Sequence, residues 1–136
     1  MYTVAEVIEF SYGHRLLRYR GKCAHLHGHN ARVEIVLASE TLDGQSMVAD
    51  FSEIGRVVRG FIDEHLDHRL LLHRDDPLVE ILRRHDEPMF LMDGDPTAEE
   101  IARLIYERAA AAGLAVREVR LWETSTSMAS YSRPER

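Results

Sequence analysis

From Tyr2 to Phe10 the chain reads Tyr-Thr-Val-Ala-Glu-Val-Ile-Glu-Phe, mostly β-favouring residues in partial alternation, which predicts a first strand carrying His14 near its end. A second stretch, 29–38, sets Ala31, Val33, Ile35 and Leu37 against Asn30, Arg32 and Glu34 before Val36 breaks the alternation. The two strands should pair. Thr41 to Gln45 reads as a turn, and Met47-Val48-Ala49 leads to Asp50, which stands at an N-cap position with Glu53 three residues on. The helix predicted over 51–65 gathers Ile54, Val57, Val58, Phe61, Ile62 and His65 on one side.

Residues 69–95 carry the weakest pattern: Asp76-Pro77 predicts a short helix to about Arg84, and Met89-Phe90-Leu91-Met92 a brief extended piece. Thr97 and Glu100 repeat the capping pattern ahead of a helix over 98–112, with Ile101, Leu104, Ile105 and Ala109 on one face and Gly113 as its terminator. A third strand is expected from Val116 to Glu123 and a short fourth from Met128 to Tyr131. The order ββααββ defines an α+β protein with a four-stranded antiparallel sheet and two helices on one face, one domain spanning 1–136.

Composition narrows the partners. A net charge of −6 argues against a nucleic-acid surface, while a local basic cluster can still hold an anionic small molecule. No apolar run approaches the roughly 20 residues of a membrane span, and no basic segment followed by an apolar one opens the chain, so a cytoplasmic protein without a membrane partner is expected. One cysteine permits no internal disulfide and leaves Cys23 as a buried small hydrophobe or a reactive thiol.

Candidate chemistry concentrates in Cys23-Ala24-His25-Leu26-His27-Gly28-His29-Asn30. Side chains two apart on a strand share a face, so His27 and His29 point together. A catalytic zinc takes three protein ligands and keeps one position open. His14 is the candidate third ligand, because an antiparallel return would lay it beside the pair. The preceding segment, with Arg15, Arg18, Arg20 and Lys22, reads either as a solvated loop or as a phosphate clamp. Asp67-His68 ends the first helix, where the carboxylate can orient the ring and the helix terminus favours its protonated form.

Phe-Ser-x-x-His followed by Cys-x-x-x-His-Gly-His-Asn resembles the 6-pyruvoyltetrahydropterin and 6-carboxytetrahydropterin synthase family. Met47 to Phe51, Leu66-Asp67-His68, Pro96 to Glu100 and Trp122-Glu123-Thr124 follow in that family's order and approximate spacing. The resemblance implies the tunnelling fold, in which sheets of several subunits join edge to edge into a barrel, here a homohexamer of two trimers with active sites between subunits. It further implies zinc (Zn2+) on His14, His27 and His29, a proton relay of Cys23, Asp67 and His68, and Glu123 gripping the pterin ring. Cys23 would serve as a thiolate in that relay.

The implied reaction converts 7,8-dihydroneopterin triphosphate into 6-carboxy-5,6,7,8-tetrahydropterin, acetaldehyde and triphosphate, a lyase step toward queuosine and other deazapurines. The alternative within the family eliminates triphosphate and keeps the side chain as 6-pyruvoyltetrahydropterin. A non-catalytic zinc-binding assembly module would account for the histidines, but not for Cys23, Asp67 or Glu123. The chain departs from the family pattern at Tyr12-Gly13, where small residues such as Ala-Ala are common, and at Leu72, where asparagine is expected. No glutamate lies between Cys23 and His27, which counts against the folate-diverting relatives.

Overall fold

The computed structural model describes residues 1–135. Six strands form one mixed sheet: β1 (Tyr2–His14), β2 (His27–Ser39), β3 (Arg69–His73), β4 (Met89–Met92), β5 (Val116–Thr124) and β6 (Ser127–Tyr131). Their order across the sheet is β4-β3-β1-β2-β5-β6. The β1–β2, β2–β5 and β5–β6 pairs are antiparallel, and β3 joins β1 and β4 in parallel. The four-stranded antiparallel expectation is corrected by β3 and β4. Arg-Leu-Leu-Leu-His lacks alternation because Leu71, Leu72 and His73 are all buried, so its pattern carries no strand period.

β1 and β2 are longer than their alternating cores because the hairpin pairing continues to His14 opposite His27. Ile8, Phe10 and Tyr12 of β1 and Ala31, Val33, Ile35 and Leu37 of β2 all bury on one face. A slip of one residue would turn this whole set to solvent, at roughly 1.5–3 kcal/mol for each large side chain exposed. The register that places the histidines is thereby held by the apolar positions farther along the same strands.

The helix predicted over 51–65 is one run of helical backbone, α1 (Phe51–Ile54), a wider π segment (Gly55–Arg59) and α2 (Gly60–His65). Asp50 caps it by accepting from the Ser52 N–H at 2.9 Å, while Glu53 turns to Arg56 instead of reaching back. After α3 (Leu78–Arg84), helix α4 (Ala98–Ala111) opens on the Thr97 hydroxyl, which accepts from the Glu100 N–H at 3.2 Å. It ends at Gly113, where φ of 92° suits a residue without a side chain. Ile54, Val58, Phe61 and Ile62 join Ile101, Ile105 and Ala109 against the inward sheet face in one core.

Candidate metal centre and its cavity

His14, His27 and His29 stand on the core face at the end of the β1–β2 hairpin, with Tyr12 opposite His29 and His14 opposite His27. One nitrogen from each ring lies within 4.8 Å of the others. The His14 Nδ1 donates to the Pro96 carbonyl at 2.7 Å, and the His27 Nδ1 to the His25 carbonyl at the same distance. Both bonds leave Nε2 as the free acceptor, and the His14 and His29 Nε2 atoms are 3.1 Å apart. Two lone pairs so close repel unless a proton or cation lies between them, so the set fits a metal ion. Burial, outweighing the nearby Glu123 charge, lowers the pKa of His14 and His29 and favours the neutral imidazole that ligates metals.

Glu123 follows Leu121 on the inward face of β5 and meets this group. Its carboxylate oxygens lie 3.9 Å from the His14 Nε2 and 3.5 Å from the His29 Nε2. The buried Tyr12 hydroxyl donates to Glu123 Oε1 at 2.9 Å. Burial and the adjacent Glu123 carboxylate push the Tyr12 phenol far above its ordinary pKa, which keeps it a hydrogen-bond donor.

Cys23 occupies a 3-10 turn (Lys22–Ala24) in the loop joining β1 to β2. The Leu16 N–H donates to the Cys23 carbonyl at 2.8 Å, and Asp95 accepts from the N–H groups of Leu17 and Arg18 at 2.8 and 3.0 Å. Arg15 forms a two-pronged ion pair with the buried Asp76, its Nε at 2.7 Å from Oδ2. Cys23, His14 and Glu123 share the lining of a cavity of about 460 Å³ with Tyr19, Thr97 and Met128.

Asp67 and His68 lie elsewhere. The Ser11 N–H donates to Asp67 Oδ1 at 2.9 Å, and the His68 N–H donates to the Ser11 carbonyl at 2.6 Å. The His68 Nδ1 is 3.0 Å from Asp67 Oδ1, and His68 adopts left-handed backbone with φ of 58°. Ser11 and His68, together with Asp67, border the opposite sheet face with Glu9, Asn30 and Arg32. The structure therefore gathers His14, His27, His29, Glu123 and Cys23, and leaves the Asp67-His68 pair outside that cavity. Partial burial would raise the Asp67 pKa, but the Ser11 N–H and His68 outweigh it and hold the carboxyl below its usual range.

Two contributors escaped the sequence reading. Tyr12 had a signal, since it shares the inward parity of Phe10 and His14. The Pro96 carbonyl had none, because any residue carries one. A side chain at Gly13 would require Leu70 to shift, its Cβ standing 2.8 Å from Leu70 Cδ2.

A mixed α+β sheet bearing three convergent histidines over a carboxylate-lined cavity places the chain among the pterin synthases. A family model described as 6-pyruvoyl tetrahydropterin synthase matches residues 3–134, and the chain belongs to that family of enzymes. Among curated relatives named 6-carboxy-5,6,7,8-tetrahydropterin synthase, the Rickettsia felis protein is 41% identical over 70% of each chain. The Aquifex aeolicus protein is 34% identical across 96% of this chain and 97% of its own. A solved structure of an uncharacterized Wolinella succinogenes protein superposes with a TM-score of 0.81 at 27% identity, covering 98% of each chain. The 6-pyruvoyl tetrahydropterin synthase of Caenorhabditis elegans shares the fold, at a TM-score of 0.72 and 21% identity over 98% of this chain and 96% of its own. No helix among the described residues is long and apolar enough to cross a membrane.

Proposed function

We propose that the chain, acting as one domain over residues 1–136, converts 7,8-dihydroneopterin triphosphate and water to 6-carboxy-5,6,7,8-tetrahydropterin, acetaldehyde and triphosphate. The observation that carries this reading is the convergence of His14, His27 and His29 on one another, with His14 lining a cavity that also holds Cys23 and Glu123. The curated relatives at 30% identity or more that span nearly the whole chain bear the carboxy name, which favours side-chain cleavage over the pyruvoyl product. A place on the route to queuosine, in the cytoplasm, is part of the same proposal.

His14, His27 and His29 would hold Zn2+, which when bound polarises a side-chain oxygen of the substrate and acidifies the adjoining carbon. Glu123 orients the pterin by accepting two parallel hydrogen bonds from its amino group and neighbouring N–H. Cys23, facing the same cavity, takes the proton from the acidified carbon. His68, its ring fixed by Asp67, passes protons to and from the thiol.

Within one chain His68 stands on the far face of the sheet with its side chain 81% exposed, so the relay closes only if a second copy brings Asp67 and His68 to the cavity. The edge strands β4 and β6 supply the surfaces for joining sheets into a homohexamer of two trimers. The deciding experiment incubates purified protein with dihydroneopterin triphosphate and compares acetaldehyde with triphosphate formed. A ratio near one is expected. A ratio near zero with accumulating pyruvoyl product overturns the cleavage reading.

A further inference from the structure

Glu123 stands beside the position of a fourth metal ligand, close to two of the three histidines. Two donors of one tetrahedral zinc are about 3.4 Å apart when each bond is about 2.1 Å long. The His14 and His29 Nε2 atoms are 3.1 Å apart, and the Glu123 oxygens lie 3.5 and 3.9 Å from those same nitrogens. Both distances exceed that spacing by a small margin, and a carboxylate moved inward would close the position a substrate oxygen needs. What engages it is the Tyr12 hydroxyl, donating to Oε1 at 2.9 Å from a buried ring packed edge-on to His14, with centroids 5.1 Å apart.

We infer that Tyr12 is a positioning residue whose hydroxyl latches Glu123 away from the metal, keeping the fourth coordination position open and the carboxylate turned to the substrate. This rests on the reading of the three histidines as a metal centre. The latch uses strand geometry: Tyr12 lies two residues before His14 on the inward face of β1 and directly opposite His29 on β2, so one side chain reaches both the ligand group and Glu123. A small residue at this position could not span to β5. The Trp122-Glu123-Thr124 segment and Tyr12 therefore work as a pair, and a chain carrying one without the other would hold its glutamate differently.

The test loads the full-length protein with zinc or cobalt alone. Tyr12→Phe keeps the ring and removes the hydroxyl; it should bind zinc about 10-fold tighter or more, in a chelator competition, as Glu123 becomes a ligand. Its cobalt form should show altered visible bands, and Tyr12→Phe/Glu123→Gln should return both readouts to the wild-type values. Unchanged or weaker zinc binding in Tyr12→Phe, or a change that persists in the double variant, overturns the latch. Glu123→Gln in the wild-type background gives a separate arm independent of how well Tyr12→Phe folds. It should leave the cobalt spectrum unaltered, and a changed spectrum would make Glu123 a ligand already and overturn the latch. A wild-type chain that takes up neither metal overturns the metal centre and the latch together. A chain that binds both metals but forms no tetrahydropterin overturns the proposed reaction and leaves the latch standing.

Discussion

The Ser11 N–H donates to the Asp67 carboxylate at 2.9 Å, while its neighbour Tyr12 donates to Glu123 from the other face of the same strand. Adjacent residues of one strand thus serve two groups of site residues separated by the sheet. If catalysis needs both, two copies must supply them. Cys23→Ala and His68→Ala should each be strongly impaired alone, and mixed oligomers formed by co-expression should regain a substantial fraction of wild-type turnover. Absence of rescue in verified mixed oligomers would place the relay within one chain. Light scattering on the wild type should find a hexamer.

Zinc retention separates ligands from proton carriers. Cys23→Ala should bind one zinc per chain as the wild type does, and His27→Ala should lose it, because three imidazoles suffice for a centre with an open position. Elemental analysis of the purified variants checks this. Equal loss in both would make Cys23 a ligand.

Turnover reports the relay itself. Cys23→Ala should fold and assemble yet lose about 10² or more in kcat, the range for removing a general acid or base. Asp67→Asn should lower kcat through His68. The Cys23→Ala/His68→Ala double variant should be little worse than the worse single one, since the groups act as a unit, and steady-state kinetics showing independent multiplication would contradict that.

The Arg15–Asp76 ion pair fastens the loop that follows His14, and it predicts a pH dependence. Arg15 holds the Asp76 carboxyl below its usual range, with partial burial opposing and the Leu78 N–H assisting. Because the folded pKa is depressed, its stabilisation is fully present above the unfolded value of about 3.9 and is lost as pH falls through the folded value. Asp76→Ala leaves Arg15 unpaired and should destabilise the fold by about 3 kcal/mol near neutrality, toward the lower end for a broken buried pair because Arg15 is partly exposed. Urea unfolding at pH 7 and below pH 4 checks it: the gap between wild type and variant should shrink in acid.

Alternation along β1 and β2, the Asp50 and Thr97 caps and the His-x-His spacing were sufficient by themselves to determine the hairpin, the two main helices and which histidines face together, because these depend on periods of two and 3.6 residues and on local hydrogen bonds. The cavity shared by Cys23, His14 and Glu123 depends on residues more than a hundred positions apart, and only the packed sheet brings β5 beside β2. β3 and β4 were illegible as a parallel pair because β3, buried on both faces, carries no alternation and β4 spans only four residues. Tyr12 was visible as a departure from a family pattern and, by its parity with Phe10 and His14, as an inward-facing residue. Its role is set by a single hydrogen bond to Glu123, and neither residue's sequence neighbourhood contains the other. The separation of Asp67 and His68 from the cavity that holds Cys23 likewise came from the tertiary fold, since the α2–β3 turn is placed by the parallel pairing of β3 with β1, a contact that leaves no local mark on the chain.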